Sequence, residues 1–151
     1  LLLRKQTPLV ISGFKGWNSD ILHRRFEKGE REGWLHYLGF TPSSDLPALY
    51  AGAVSFLFPS IYEGFGLPVL EAMASGTPVV CSNNSSLPEV AGCSALMCDA
   101  MDVETLTSLI MKSLTDTEWQ EKATESGLLH ASEFSWKRCA VETIAAYKQV
   151  K

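Results

Sequence analysis

The stretch IYEGFGLPVLEAMASGTPVV, Ile61 to Val80, carries a loop, a helix and the start of a strand in twenty residues. Gly64 and Gly66 flank Phe65 just after an apolar strand candidate, where glycine lets the chain turn sharply and brings backbone close to a ligand. Pro68 suits the first turn of a helix, because its missing N–H would be unpaired there anyway. The helix is expected over Leu67–Ser75, with Gly76 placed to end it and Pro78 soon after. Its N-terminus then lies at the carboxyl end of a parallel strand. Open α/β sheets bind ligands there, and free N–H groups with the helix dipole favour an anion.

Working outward, short apolar runs alternate with helical patterns. Strands are expected at Leu9–Ser12, Leu35–Leu38, Val54–Phe58, Pro78–Cys81 and Ala95–Cys98, each nearly continuous in apolar character and so expected to be buried on both faces. Helices are expected at Asp20–Glu30, Asp45–Ala51, Leu67–Ser75 and Pro88–Ala91. This alternation predicts an α/β fold, a Rossmann-like parallel sheet flanked by helices, followed by a helical C-terminal segment. In that last third Asp102 can cap a helix, Thr117 and Gln120 have capping-box spacing, and Ser135 can cap a final helix. The stripe Trp136, Ala140, Ile144 and Tyr147 on that final helix is expected to face the core.

The chain has 151 residues, 46% hydrophobic and 20% charged, as in one soluble globular domain. A net charge of −4 with no basic run argues against a dedicated nucleic-acid binder, but not against a small phosphate-bearing ligand. Cys81, Cys93, Cys98 and Cys139 show no metal or redox spacing; four reduced thiols and a cytoplasmic location are expected. The apolar run Leu46–Tyr62 is broken by prolines and reads as core, too short to span a membrane. The opening LLLRKQTPLV lacks a methionine and reads as the tail of a helix entering a strand, as if residues upstream had been removed.

Glu63 stands in the loop and Glu71 one turn into the helix. A carboxylate accepts two hydrogen bonds well, so one glutamate suits a ribose diol and the other sugar hydroxyls. A phosphate on backbone N–H groups with sugars on carboxylates describes a nucleotide sugar. On the residues alone, dipole compensation by an acidic side chain and an ordinary glycine turn are also open.

The segment FPSIYEGFGLPVLEAMASGTPVVCSNNSSLPEV resembles the carboxy-terminal domain of the GT-B-fold retaining glycosyltransferases, a family that includes sucrose synthases, glycogen synthases and many bacterial mannosyltransferases. The likeness lies in a glutamate, seven residues and a second glutamate (Glu63, Glu71), within Pro59-Ser60, Gly64-Phe65-Gly66-Leu67-Pro68, Glu71-Ala72-Met73-Ala74 and Gly76-x-Pro78-Val79-Val80. LVISG, LHYLGF, LPALYAGA and the late FSW are similar to the family's flanking elements. The resemblance implies that Glu71 binds the donor ribose. Glu63, the catalytic position, would contact the transferred sugar near the reacting centre. Backbone N–H groups around Gly64, Phe65, Gly66 and Leu67 would hold phosphate or sugar, and main chain at Gly39 and Phe40 would face the base. The diphosphate would leave without a metal or other cofactor, and the sugar would transfer with retention. The glutamates are therefore not a glycosidase pair.

The family's arginine–lysine pair after the first strand is missing here, and Lys15 is the only cation in a comparable loop, hence a candidate phosphate contact. Residues 1–151 are accordingly expected to be a nucleotide-sugar-binding C-terminal domain lacking its first strand and its N-terminal acceptor domain. That strand would be central in a doubly wound sheet, so the five remaining strands would flank a gap, in a fragment less stable than its length suggests. The implied function is transfer of a hexose to a saccharide or lipid-linked acceptor. Within the family GWNSDILHRRFEKGEREGWLHYLGF looks most like bacterial polysaccharide mannosyltransferases, hence mannose from GDP-mannose. A UDP-sugar donor, or a non-catalytic nucleotide-binding fragment, are the alternatives. Peripheral membrane association would come through the absent domain.

Overall fold

The computed structural model describes residues 7–150. In chain order the elements are β1 (Leu9–Ser12), α1 (Asp20–Arg31), β2 (Leu35–Gly39), α2 (Leu46–Ala51), β3 (Phe56–Phe58) and α3 (Leu67–Ala74). There follow β4 (Val79–Ser82), α4 (Leu87–Ala91), β5 (Ala95–Cys98), α5 (Val103–Thr115), α6 (Thr117–Ser132) and α7 (Trp136–Gln149). Every ladder is parallel, and the strands form two sheets, β1–β2 and β3–β4–β5. The alternation in the sequence is thus realised as a Rossmann-like α/β architecture. The chain divides into two compact units, the first ending at Leu46 and the second beginning at Pro47. The helix tail expected over the opening LLLRKQ lies outside the described residues.

In the first unit β1 and β2 run in register from Leu9 opposite Leu35 to Ile11 opposite Tyr37, with a shift before Ser12 meets Gly39. Burial on both faces is not found here. Leu35 is buried, but Leu9, Val10 and Leu38 are exposed. Among the described residues the unit contains two strands and one long helix, enough apolar cover for one side. Tyr37 lies against His23 and Phe26 of α1, with ring centroids 5.0 and 5.4 Å away, and its hydroxyl donates to the Gly13 carbonyl.

The second unit holds the core. β4 is central in its sheet, and Val79, Val80, Cys81 and Ser82 are all buried. Val69, Leu70, Ala72 and Met73 from α3 and Leu87, Val90 and Ala91 from α4 are also buried. Each fully buried aliphatic side chain of this kind contributes about 1.5–3 kcal/mol through removal from water. Helix α3 ends as the sequence predicts. Gly76 takes φ +77°, its N–H donates to the Met73 carbonyl, and the Thr77 N–H reaches back to Ala72, satisfying two carbonyls that the helix end would leave open. The Thr124 hydroxyl of α6 donates to the Gly76 carbonyl and ties that end down.

Several expectations need correction. Of the run Leu46–Tyr62, Tyr50 alone is buried; Ile61 and Tyr62 follow the end of β3 and are 66% and 80% exposed. Asp116, not Thr117, caps α6 by accepting the Trp119 N–H, while the Gln120 side chain donates to the Ser113 carbonyl instead of closing a box. Asp102 and Ser135 cap α5 and α7 as expected. The stripe on α7 is not core in this chain: Trp136 is 78% and Tyr147 76% exposed, and no residue of that helix is buried. Cys81 and Cys98 are buried and Cys93 and Cys139 exposed, all four as free thiols. Among the described residues, no helix is long and apolar enough to cross a membrane.

Candidate functional site: the loop before α3

β3 ends at Phe58, where the Ser60 N–H turns back onto the Phe58 carbonyl at 2.9 Å. The chain then runs through Glu63, Gly64 and Phe65 to Gly66, the N-cap of α3, which adopts φ +108° and ψ 38°. That conformation disfavours any side chain, and a Cβ there would also lie 2.6 Å from Leu87 Cδ2. The glycine is doubly required. Gly64 is different: its backbone has no positive φ, and a Cβ would meet nothing within 4 Å. Nothing within the described residues explains why it is glycine.

The first turn of α3 leaves N–H groups unpaired, as every helix does. Here Val69 donates back to the Gly66 carbonyl. The N–H groups of Gly64, Phe65, Gly66 and Leu67 have no acceptor among the described residues. They are four free donors at the positive end of a helix macrodipole. The Phe65 ring stacks edge-on against Phe134, with centroids 6.2 Å apart, and Phe134 packs likewise on His130 at 5.2 Å. His130 Nε2 lies 2.9 Å from the Val90 carbonyl oxygen. The side chain of Phe65 is therefore anchored toward α6.

Both glutamates are held by hydroxyl donors. Ser60 Oγ donates to Glu63 Oε1 at 2.8 Å, leaving the second carboxylate oxygen open among the described residues. Tyr50 on α2 donates to Glu71 Oε2 at 3.1 Å. Tyr50 is itself fixed: its carbonyl accepts the Thr77 hydroxyl at 2.7 Å, and its ring meets Phe56 edge-on at 5.2 Å. Burial, then the bond to Glu71, pushes the phenol up to about 12, so it stays protonated and donating at neutral pH. Glu71 is exposed and Glu63 half-buried.

The remaining candidates belong to the first unit. Gly39 closes β2 at φ +64° and accepts the Gly13 N–H at 2.8 Å. Phe40 is 61% exposed and stacks on Phe14 with centroids 4.9 Å apart. Lys15 is paired with Asp20 at 2.6 Å on the surface, an interaction that raises the lysine and lowers the aspartate. Its charge is already partly satisfied. Sequence reasoning did not single out Tyr50, although a tyrosine before a buried strand needs a hydroxyl partner, and it named Ser60 only as part of the Pro59-Ser60 motif.

The family model for glycosyl transferases group 1 matches residues 1–129. The O-antigen chain mannosyltransferase B of Escherichia coli is 53% identical over 145 residues, 96% of this chain and 38% of that protein. The MMP alpha-(1->4)-mannosyltransferase of Mycolicibacterium hassiacum is 42% identical over 120 residues, 76% of this chain and 29% of its own length. The chain thus spans well under half the length of these curated relatives. Among solved structures, sucrose-phosphate synthase from Thermosynechococcus elongatus aligns with a TM-score of 0.80 at 25% identity, over 94% of this chain and 38% of the other. Anabaena HepE in complex with UDP and glucose gives 0.78 at 22% identity, over 97% and 42%. The shared fold is that of GT-B glycosyltransferases. On the match across residues 1–129, which takes in the loop and helix bearing Glu63 and Glu71, the chain belongs to the glycosyl transferases of group 1.

Proposed function

We propose that residues 1–151 are the donor-binding C-terminal part of a hexosyltransferase that moves mannose from GDP-mannose to a saccharide or lipid-linked acceptor. The observation that carries this is the row of four unpaired N–H groups, Gly64 to Leu67, between two carboxylates each held on one oxygen. An anion fits the donors and hydroxyls fit the open carboxylate oxygens. Mannose is favoured by the mannosyltransferases at 53% and 42% identity.

In this reading Glu71 binds the ribose, with Tyr50 setting its orientation. Glu63 meets the transferred hexose near the anomeric carbon, and the free N–H groups take up charge as the diphosphate leaves. Donors aimed at developing charge are effective because they need no reorganisation during the reaction. Glu63 acts by positioning and electrostatics, and transfer proceeds with retention. Gly39 and Phe40 offer main chain to the base, and Lys15 is a diphosphate contact only if it exchanges Asp20 for the ligand. The first strand and the acceptor-binding domain are proposed to lie outside residues 1–151, along with any membrane attachment. The isolated chain would then bind nucleotide without turning over.

A UDP-sugar donor is the second reading, favoured by the complexes of Anabaena HepE with UDP and with UDP-glucose. The deciding experiment offers the natural full-length protein GDP-mannose, UDP-glucose and UDP-N-acetylglucosamine with saccharide primers and follows the product anomer by NMR. Mannose transfer with retention supports the proposal. Transfer from a UDP-sugar alone replaces the donor, and inversion overturns the mechanism.

A further inference from the structure

The β4–α4 connection lays a row of serine hydroxyls on the loop that carries Glu63. Ser85 Oγ donates to the Glu63 carbonyl at 2.6 Å. Ser86 Oγ lies 2.8 Å from the Phe65 carbonyl and 3.1 Å from that of Glu63. It has a single proton to give, so the shorter contact is the donated one. Ser82 Oγ donates to the Ser60 carbonyl, and Ser60 in turn holds the Glu63 carboxylate at 2.8 Å. Ser82 at the end of β4 and two serines of the connection that follows therefore fix three carbonyls of the loop before α3. Ser85 reaches its partner from φ +55°, a left-handed conformation uncommon for a residue with a side chain.

A turn that served only to connect β4 to α4 would put asparagine or glycine at the left-handed position and would aim its hydroxyls at its own backbone. These hydroxyls instead point across more than twenty residues of sequence, onto the carbonyls at either side of Gly64. We infer that Ser82, Ser85 and Ser86 are positioning residues: they turn the carbonyls of Ser60, Glu63 and Phe65 toward α4, leaving the Gly64–Leu67 N–H row and the Glu63 carboxylate set for the donor. The inference rests on the proposed role of that loop in sugar transfer. None of the three touches the donor; each acts through the loop.

Two substitutions separate positioning from mere structure. Ser85→Gly removes the hydroxyl while relieving the left-handed backbone, so thermal stability should hold or rise. Ser86→Ala removes the other hydroxyl, and Ser86→Thr keeps one. In the natural full-length protein the combined Ser85→Gly, Ser86→Ala variant should lower kcat for sugar transfer about 10-fold, the effect of two lost hydrogen bonds. Affinity for bare GDP should fall as well, because the same N–H row is proposed to take its phosphates, while the melting temperature holds. Ser86→Thr should keep kcat. The 15N NMR order parameters of Gly64 and Gly66 should fall in the combined variant, a readout that needs no substrate. Unchanged order parameters would overturn the clamp, and unchanged kcat with lowered order would overturn its role in positioning. Losses of kcat and GDP affinity that only track a loss of melting temperature would make the serines structural. If the wild-type protein transfers no sugar, the proposed function fails instead, and the order parameters alone decide whether the clamp exists.

Discussion

Two glycines two positions apart should respond to the same substitution in opposite ways. Gly66→Ala places a Cβ 2.6 Å from Leu87 Cδ2 and forces a side chain onto φ +108°. The backbone conformation costs about 1–3 kcal/mol, and crowding a close-packed site about 1–3 kcal/mol more. A total of about 2–6 kcal/mol is a large part of the stability of an ordinary domain, about 5–15 kcal/mol. The urea midpoint of the natural full-length protein should fall, and Leu87→Ala should be less costly in the Gly66→Ala background than alone, because it removes the colliding methyl group. Gly64→Ala meets no atom within 4 Å and needs no unusual φ, so stability should stay within about 0.5 kcal/mol. Its added methyl would instead stand in open space beside the free N–H groups, where the proposed ligand would have to approach. Nucleotide affinity, read by isothermal titration calorimetry, should weaken at unchanged midpoint. Equal loss of stability in both variants would refute the geometry of the loop. Full nucleotide affinity in Gly64→Ala would refute the reason given for that glycine.

Other outcomes follow from the same geometry. Glu71→Ala should weaken GDP binding about 10-fold or more, the loss of a charge-assisted hydrogen bond, whereas Glu63→Ala should spare bare GDP and lower transfer; equal effects on GDP would contradict the division of roles. Tyr50→Phe should weaken GDP binding less than Glu71→Ala, and unaltered binding would remove Tyr50 from the site. The difference between wild-type and Tyr50→Phe spectrophotometric titrations should show a phenol ionising near pH 12. Because that value is raised on folding, the stability it carries is complete below the ordinary tyrosine range near pH 10 and is lost as pH climbs to about 12; a component ionising in the ordinary range would show that the phenol is not held. A thiol reagent should modify Cys93 and Cys139 quickly and Cys81 and Cys98 only on unfolding, since both of the latter are buried and burial raises their thiols. Four fast thiols would contradict the packing of β4 and β5.

The elements most legible in the sequence were those whose signals are local. Pro68, Gly76 and the apolar run between them define α3 without reference to anything distant, and Asp102 and Ser135 announce their helices by capping. The two glutamates were legible as candidates because loop and helix were. The partners that hold them were not. Tyr50 and Glu71 lie 21 residues apart, and Ser85 and Ser86 reach back across 22 and 21, so the contacts exist only once parallel strands have brought the connections together. Burial was legible only in part. A run such as Leu9–Ser12 states that a strand is apolar, not how many neighbours cover it, and the stripe on α7 states that a face is apolar, not what it meets.

The central claim is that the N–H row from Gly64 to Leu67 receives the donor's phosphate groups. The most direct measurement is a GDP titration of the natural full-length protein labelled with 15N, following the amides of these four residues. Saturable shifts concentrated on Gly64, Phe65, Gly66 and Leu67, lost in Glu71→Ala at the same nucleotide concentration, are the expected result. Saturation of GDP binding with those four amides unmoved would contradict the account.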